Sequence, residues 1–510
     1  MAGKPPVSAR MKERKMKGIG LSFPDRYRPG LRAATLAVLL ALTGCAVGPD
    51  YRLPVVQVGD HYKEAEGWTQ ARPSDEAPRP DWWRSFEDPR LDGLMREMLA
   101  ANLTIAQAEA RNRQAQALVR SAGAGFFPTV GSSASATRSG GGSGNAGTGS
   151  GSGGGTGNQY SLSGNVSWEV DLWGRVRRTV EASEAGAQAG AADVAATRLS
   201  MQSTLAQTYF QLRAFDAEKE LYRQTVAAYE RSLEMTQNRY AAGVAAQADV
   251  ASARTQLENA RAQMLALDRQ RAQLEHALAV LLGRAPSQFG LEAGPLLAGV
   301  VPEPPAGLPS QLLERRPDIA AAERRTAQAN ARIGVAQAAW FPDLTLSAQA
   351  GYRGSQWAEW LSAPFHFWSL GPALAFTIFD GGARQGQLEE ARAVYDEQVS
   401  AYRLTVLSAL QEVEDYLVQL RVLAQEQETQ GRALASARES LQLTRNQYDA
   451  GMIDYLSVVQ VEATALSAER SALSLRLSRL IASVQLMTAL GGGWQVSELE
   501  RPEADTVQSQ

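Results

Sequence analysis

The chain has 510 residues, a formal net charge of −3, 44% hydrophobic residues and only 7% aromatic residues. Its glycines and prolines cluster at a few sites, and the long runs between them are rich in Ala, Leu, Gln, Arg and Glu, which predicts extended helices. No run approaches the roughly 20 apolar residues that a membrane-spanning helix needs.

The first 44 residues are predicted to be a cleaved secretory leader, because a basic region ending at Arg32 precedes the short apolar run 33–42. The sequence Leu-Thr-Gly-Cys at 42–45 resembles the bacterial lipobox. Cys45 is the only cysteine of the chain, so no intramolecular disulfide can form. We expect Cys45 to carry a diacylglycerol and an N-acyl chain, and we expect no other cofactor and no metal site.

The residues after the leader favour the outer membrane. Ala46 stands where an aspartate commonly holds bacterial lipoproteins in the inner membrane. The leader contains nine Lys and Arg and two Asp and Glu, so the mature chain keeps 42 basic and 52 acidic residues, a net charge of about −10. This acidic balance argues against nucleic acid as a partner.

An internal repeat organises the mature chain. Asn446–Gly451 echoes Asn238–Gly243 at an offset of 208 residues, and the same offset relates Leu490-Gly491 to Leu282-Gly283. In each copy the shared hexapeptide predicts a long helix that ends at a glycine. The chain is therefore predicted to be two copies of one long module.

The repeat gives a division of the chain. Each copy is expected to hold a helix, a β-hairpin and a long helical hairpin. The predicted segments are a signal peptide at 1–44, a lipidated extended segment at 45–88, a first repeat at 89–283 with hairpins at 128–172 and 174–283, a linker at 284–309, a second repeat at 310–495 with hairpins at 342–379 and 383–491, and a disordered tail at 496–510.

Two stretches alternate between apolar and polar residues, which predicts strands with one apolar face. The first runs over 160–172, and a strand over 129–138 precedes it across a loop at 139–157 that is almost entirely Gly, Ser, Thr and Asn. The second runs over 344–352 and returns over 370–378. The aromatic residues between its two strands suit a membrane interface.

Four strands in one chain cannot close a barrel. An open sheet edge in lipid leaves backbone N–H and C=O groups without partners, which costs several kcal/mol for each group. Membrane barrels begin at about eight strands, so at least two copies are needed, and three copies would supply twelve.

The remaining segments are predicted to be mostly helical. One helix is expected over 89–122, and proline-free helical patterns run from Arg175 to Tyr240 and from Ala383 to Tyr448. Asp318 is expected to cap the helix that opens the second copy, and the arginines just before it to pair with neighbouring carboxylates.

The assembled pattern resembles the outer-membrane efflux factor family, the TolC-like channels, in its lipoprotein branch. The resemblance covers nearly all of residues 45–495. It rests on the two Tyr-x-x-Gly turns and on five further stretches of sequence. These are the lipobox, Glu-Arg-Arg-Pro-Asp-Ile at 314–319, Ala-Arg-Ile-Gly-Val-Ala to Phe-Pro-Asp-Leu at 331–344, Phe-Asp-Gly-Gly at 379–382 and Leu-Gly-Gly-Gly-Trp at 490–494.

The resemblance implies a mainly α protein with a β-barrel portion. It implies a homotrimer in which a twelve-stranded barrel in outer-membrane lipid continues into a twelve-helix tunnel through the periplasm. A periplasmic adaptor and an inner-membrane transporter, of the RND type, would meet the tunnel at its tip and supply the energy. In the family the Tyr-x-x-Gly turns form this tip, which here means Tyr240, Gly243, Tyr448 and Gly451.

Family channels close just beyond those turns. By this resemblance Tyr448 would hold Asp249 through a hydrogen bond, and Asp454 matches an acidic constriction position of the lipoprotein branch. Ser457 and Gln460 stand where some members carry an aspartate ring, so the sequence departs from the family there. The structural alternative for Asp249 and Asp454 is helix capping near a turn.

Three other classes of protein are alternatives. An enzyme is not expected, because the three histidines are far apart and no metal-ligand cluster, nucleophile motif or phosphate loop is present. A periplasmic adaptor lipoprotein is the nearer rival, but it would show one helical hairpin within a small β-domain. A structural coiled-coil lipoprotein would have no use for the alternating strands.

Overall fold

The structure is a computed structural model that describes residues 46–59, 61–64, 81–140, 156–296, 301–302, 315–358 and 361–495. The predicted signal peptide, Cys45, most of the Gly/Ser loop and the tail at 496–510 lie outside the described residues. In the described part, no helix is both long enough and apolar enough to cross a membrane.

Seven α-helices in the described residues form two similar series. The first series consists of α1 (Pro89–Ala101), α2 (Leu103–Gly123), α3 (Arg175–Ala241) and α4 (Gln247–Leu281). The second series consists of α5 (Pro317–Ala338), α6 (Ala383–Asp449) and α7 (Tyr455–Ala489). Because α3 and α6 each have 67 residues, each is roughly 100 Å long at 1.5 Å per residue.

The single helix predicted over 89–122 is wrong, because Asn102 divides it into α1 and α2. Asn102 has extended backbone angles, φ −69° and ψ 123°. Its Oδ1 accepts hydrogen bonds from the backbone N–H groups of Thr104 (2.9 Å) and Ile105 (3.0 Å), so it caps α2. Its amide nitrogen donates to the Leu281 carbonyl at 2.7 Å. The apolar residues keep their helical spacing across Asn102, so the sequence pattern did not reveal the cap.

Four antiparallel strands form one sheet in the order β1-β2-β3-β4. The strands are β1 (Thr129–Gly140), β2 (Thr156–Val170), β3 (Asp343–Gly354) and β4 (His366–Ala375). Each repeat supplies one hairpin, as the alternation predicts, and the two hairpins join where β2 pairs with β3, with Val170 opposite Leu344. The outer edges of β1 and β4 have no strand beside them within the described residues.

The two faces of the sheet differ in polarity. One face carries the register-matched row Val130, Val166, Ala348 and Leu370, and Leu370 is 75% exposed. The other face carries serine pairs, such as Ser133 and Ser163, whose hydroxyl oxygens are 2.9 Å apart. Large apolar side chains exposed in a continuous row are unfavourable in water, so the first face is suited to lipid.

The main core lies midway along the molecule, where the short helices meet α3. Trp83, Phe86, Leu91 and Phe210 are buried there, and Trp82 donates from its indole nitrogen to Gln202 at 3.0 Å. Trp82–Phe86 is a 3-10 helix, so the prediction that 45–88 is extended throughout is wrong at this point. Burial of three aromatic rings favours the compact turn over an extended strap.

Residues 46–59 and 61–64 form an extended strap along α5 and α6. Val47 donates its backbone N–H to the Trp173 carbonyl at 3.0 Å, at the junction of sheet and helices. Further along, the Tyr51 hydroxyl donates to Glu323 at 2.6 Å, and the backbone N–H of Glu64 donates to Glu414 at 2.9 Å.

At the start of the second repeat, Arg316 occupies the N-cap position of α5. Its guanidinium pairs with Asp318 at 2.6 Å and with Glu412 at 2.7 Å. The predicted pairing with neighbouring carboxylates is therefore confirmed for Arg316. The predicted capping by Asp318 is wrong, since this residue lies in the first turn, and its carboxylate accepts from the Arg316 guanidinium and from the adjacent backbone N–H of Ile319.

Candidate functional site at the tips of the helical hairpins

The two helical hairpins turn with nearly the same backbone. Gly243 has φ 77° and Gly451 has φ 76°, a left-handed conformation that glycine adopts without strain. The backbone N–H of Val244 donates to the Arg239 carbonyl, and the backbone N–H of Met452 donates to the Gln447 carbonyl, both at 2.9 Å. These bonds satisfy carbonyls that the helix ends would otherwise leave unpaired, so each Tyr-x-x-Gly motif ends a long helix in the same way.

The two tip tyrosines have different surroundings despite this shared backbone. Tyr240 is 47% exposed, whereas Tyr448 is only 6% exposed. Tyr448 packs in a small cluster with Tyr455, at 5.7 Å between ring centroids, and with Ala253 of the first hairpin. The tip is therefore asymmetric, and the second turn is the one fixed against its neighbour.

Arg239 links the first hairpin to the second, a contact that the sequence motifs did not predict. Its guanidinium carbon lies 4.3 Å from the centroid of the Tyr448 ring, and its Nη2 donates to the Tyr448 carbonyl at 3.2 Å. A cation over an aromatic face is attracted by the ring quadrupole, and more strongly where water is displaced. The two repeats differ at this position, because Gln447 is equivalent to Arg239. This difference is the sequence feature that could have indicated the contact.

A second link lies about two helical turns above the first, since Ser232 precedes Arg239 by seven residues on α3. Ser232 of α3 donates its hydroxyl to the Tyr455 hydroxyl of α7 at 3.0 Å. Burial raises the pKa of Tyr455, so the phenol stays neutral at physiological pH. Arg239 and Ser232 thus both fasten α3 to the second hairpin near its turn.

Asp249 does not form the hydrogen bond that the resemblance implied. Its carboxylate accepts from the backbone N–H of Ala246 at 3.1 Å, in the first turn of α4. No hydrogen bond joins Asp249 to Tyr448 in the part of the chain that the structure describes, and Tyr448 instead contacts Ala253, one turn further along α4. Capping is the role visible for Asp249 in a single chain.

Asp454 also caps a helix. Its carboxylate accepts from the backbone N–H of Ser457 at 3.0 Å and from the Ser457 hydroxyl at 2.6 Å, at the start of α7. These hydrogen bonds hold the pKa of Asp454 below its usual range. The side chain is exposed, so it is ionised and faces solvent at the tip.

A buried carboxylate lies higher in the same bundle. Glu462 of α7 is 5% exposed and accepts from Nη2 and Nε of Arg445 on α6, at 2.7 Å and 3.1 Å. Burial, with the nearby Glu462 charge, raises the pKa of Tyr229 to about 12. Arg445 lies four residues before the end of α6 and Glu462 seven residues after the start of α7, so the pair joins the two arms of the second hairpin near its turn.

Cys45, the predicted lipidation site, lies outside the described residues. Ala46, its neighbour, contacts Gly174 at the junction of sheet and helices, only 2.8 Å from the point where a Cβ on Gly174 would lie. A larger residue at 174 would therefore displace the strap. Within the described ranges, no group of three or more His, Cys, Asp or Glu side chains could hold a metal ion.

Comparison with known proteins identifies the family. The family model described as outer membrane efflux protein matches residues 94–284 and again residues 308–492. The chain is 31% identical over 455 residues to the antibiotic efflux pump outer membrane protein ArpC of Pseudomonas putida, covering 89% of this chain and 93% of ArpC. It is 33% identical over 426 residues to the pyoverdine export outer membrane protein OpmQ of Pseudomonas aeruginosa, covering 83% and 89%.

The fold agrees with this assignment. The structure superposes on that of the outer-membrane channel OprN with a TM-score of 0.80 and 30% identity, covering 88% of this chain and 100% of that one. The two matched segments correspond to the two repeats. The chain belongs to the outer membrane efflux protein family, the exit channels of efflux pumps.

Proposed function

We propose that three copies of this chain form one continuous duct, the outer-membrane component of a tripartite efflux pump. The observation that carries the proposal is the open four-stranded sheet, whose β1 and β4 edges lack neighbouring strands within the described residues. Edges without partners are not stable in lipid, and three copies would close them into a twelve-stranded barrel. Below it, the long helices of three copies would form the tunnel.

The two faces of α5 have different surroundings, and this difference supports the tubular arrangement. The strap contacts α5 through Glu323 and Asn330. Arg325 and Arg332 lie on the opposite face of α5 and line an open groove of about 1050 Å³. A segment that leads to a membrane anchor belongs outside the tube, because inside it would obstruct the passage. The grooved face is therefore the luminal wall.

The chain is proposed to be a lipid-anchored outer-membrane protein. Ala46 is held beside Trp173 and Gly174, where the sheet ends and the helices begin. An acylated Cys45 would thus lie at the periplasmic boundary of the barrel, within reach of the inner leaflet. We expect Cys45→Ser to abolish acylation, measured by mass spectrometry, and to leave trimers in the membrane, since the barrel strands are unchanged. Complete loss of trimer would contradict this.

The partner proteins are proposed from the turns at the tips of the helical hairpins. A periplasmic adaptor would contact the turns at Tyr240, Gly243, Tyr448 and Gly451, and an inner-membrane transporter of the RND type would supply the energy. The relatives ArpC and OpmQ are named for antibiotics and for pyoverdine, so the shared function is passive export of small molecules. The duct has no catalytic role in this proposal.

The tip is proposed to be the periplasmic gate, with Asp249, Tyr448 and Asp454 as its residues. Tyr448 would hold the two hairpins together through Arg239 and the Tyr455 cluster. Asp249 and Asp454 would fix the start of each return helix and so the width of the constriction. Opening would be an outward movement of the second hairpin after these contacts break.

Electrophoresis and conductance test the duct. Outer-membrane extracts in SDS should show a trimer band that becomes a monomer band on boiling, and the purified trimer should form channels in planar bilayers. An adaptor or a coiled-coil lipoprotein would give no boiling-sensitive trimer band and would form no channels, and that result would overturn the proposal.

A further inference from the structure

The groove on the proposed luminal face is positively charged. It runs over α2, α3 and α5 and has a volume of about 1050 Å³. The charged residues that line it are three arginines and one aspartate, a net charge of +2, and they are Arg111, Asp193, Arg325 and Arg332. The mature chain has a net charge of about −10, so this face has the opposite sign to the chain as a whole.

Two of the three arginines are not neutralised by a carboxylate. Arg325 donates from Nη2 to both carboxylate oxygens of Asp193, at 2.6 and 2.7 Å, so these two charges compensate each other. Arg111 is exposed, and Glu109, the one acid on α2, is bonded to Arg198 instead. Arg332 is also exposed and has no ion-pair partner among the described residues. An unpaired guanidinium keeps its N–H donors available to a ligand.

The acids of α6 do not reach the arginine on α5. Tyr402 marks the side of α6 that faces α5, because it is buried in one cluster with Ile319. Four acids precede Tyr402 on α6, and each is rotated from it by about 120° to 140° at 100° per residue. They are Glu389, Glu390, Asp396 and Glu397. The α5 arginine therefore has no carboxylate beside it on the α6 side.

The two unpaired arginines lie on either side of α3. On the α2 side, the Oδ1 of Asn112 lies 3.4 Å from the point where a Cβ on Gly190 would be. On the α5 side, the Nε2 of Gln328 lies 2.6 Å from the equivalent point on Gly186. These glycines are about one helical turn apart on α3. Because neither has a side chain, the floor of the groove is low between the two arginines.

We propose that this groove binds small organic anions during their passage through the duct, and that the cargo carries a carboxylate, sulfonate or phosphate group. The inference rests on the proposed function, since it takes the grooved face as the luminal wall, and it adds the chemical class of the cargo. A guanidinium binds such groups through two parallel N–H···O bonds. Arg111 and Arg332 supply these donors, and Gln328 supplies an amide.

The assembled tube strengthens the effect. Three copies would repeat both arginines around one lumen, and charges of one sign on the walls of a cleft raise the local concentration of counter-ions. Salt screens exposed charges beyond about 10 Å at 0.1 M. The attraction therefore acts on anions close to the wall, which is where the groove would hold them.

Binding of a fluorescent anion tests the site on the full-length trimer in a non-ionic detergent. The probe is pyranine, a small aromatic dye with three sulfonate groups, and its fluorescence anisotropy reports binding. Arg111→Gln combined with Arg332→Gln should raise the dissociation constant of pyranine by roughly tenfold or more, because charge-assisted hydrogen bonds are lost. The SDS-resistant trimer fraction should not change, since both side chains are exposed and unpaired.

Arg113→Gln combined with Arg120→Gln is the matched control. Both residues are exposed on α2, and they are rotated from Arg111 by about 200° and 180°, which places them on the outer face. This variant loses the same charge and should bind pyranine like the wild type. Should the groove variant form fewer trimers, Arg332→Gln alone, measured on its trimer fraction, should still weaken binding by roughly threefold.

Competition checks the sign of the ligand. Benzenesulfonate should displace pyranine from the wild-type trimer, whereas phenyltrimethylammonium, a cation of similar size, should not do so at equal ionic strength. Equal displacement by the two compounds, or equal weakening in the groove variant and the outer-face control, would overturn the anion site.

The outcomes separate this inference from the proposed function. A wild-type chain that forms neither trimers nor channels would overturn both. A trimer that conducts in planar bilayers but does not bind pyranine would overturn the anion site alone, while the duct would stand.

Discussion

The two helical hairpins share a backbone but not a set of contacts. Both have a 67-residue descending helix and a 35-residue return helix, and both turn at a glycine with nearly the same φ. Yet Tyr240 is exposed where Tyr448 is buried. Helix length and turn geometry are set locally by the repeated sequence, whereas burial depends on which hairpin lies against the other.

One pair of cross-links shows how the repeats diverged. Glu230 bonds Arg261 at 2.7 Å in the first hairpin, and Arg438 bonds Glu469 at 2.8 Å in the second. The offset of 208 maps each residue of the first pair onto one of the second, with the signs exchanged. Because both charges changed sign together, each hairpin keeps its own ion pair. A wrong pairing between the two hairpins would bring like charges together and is therefore disfavoured.

The largest expected effect is at Tyr448, and it tests whether the asymmetry matters. Tyr448→Ala removes the ring that contacts Arg239, Tyr455 and Ala253, at a cost of roughly 3 kcal/mol or more in stability. We expect wider opening of the tip and a severalfold higher single-channel conductance in planar bilayers. Tyr240→Ala, the equivalent change on the exposed turn, should leave conductance unchanged. Equal effects at the two positions would remove the distinction between the turns.

The next effect compares a buried ion pair with an exposed one. Arg445→Met leaves the buried Glu462 carboxylate without its cation, which should cost roughly 2 kcal/mol, below the value for a fully buried pair because Arg445 is 45% exposed. Arg438→Met breaks an exposed pair and should cost about 0.5 kcal/mol. Thermal melting followed by circular dichroism measures both. Similar melting temperatures for the two variants would contradict the burial argument.

A smaller effect is expected for Arg239→Gln, which gives the first turn the residue of the second. The change removes the contact with the Tyr448 ring, worth about 1 kcal/mol. We expect a modest rise in conductance, below that of Tyr448→Ala. Because the ring contact is already absent in Tyr448→Ala, the double variant should conduct nearly like Tyr448→Ala, and it additionally loses only the hydrogen bond to the backbone carbonyl at position 448. Additive effects in the double variant would mean that Arg239 acts elsewhere.

Much of the fold follows from the sequence because its signals are local. The glycines at 243 and 451 end helices, and alternation at 160–172 and 344–352 defines strands. The break at Asn102 was not predicted because the apolar residues keep their helical spacing across it, and because the bond from Asn102 to Leu281 joins residues that are distant in sequence. The 3-10 turn at Trp82–Phe86 escaped for a similar reason, since it forms to bury aromatic rings against α3.

The site was predicted less completely than the fold. The two turns were located, but the partner of Tyr448 was not, because it depends on how the hairpins lie against each other. Comparing the repeats position by position would have recovered part of this. Such a comparison shows that Arg239 is equivalent to Gln447. It also shows that the charges of the Glu230–Arg261 pair are exchanged in the other repeat.

The smallest expected effect is at Asp454, where it separates charge from geometry. Asparagine is as good an N-cap as aspartate but carries no charge, whereas alanine cannot accept the Ser457 hydrogen bonds. We therefore expect Asp454→Ala to raise conductance slightly, because the start of α7 loosens at the constriction. Asp454→Asn should stay close to the wild type.

The pH dependence gives an independent check on the same residue. Hydrogen bonds from Ser457 lower the pKa of Asp454 in the folded protein. The stabilisation by the ionised cap is thus fully present above the ordinary aspartate pKa of about 3.9 and is lost as the pH falls through the lower folded value. Conductance set by this cap should not change between about pH 7 and pH 5. A rise in conductance with Asp454→Asn across that range would instead assign the constriction to the negative charge itself, and the two turns would then differ in electrostatics as well as in packing.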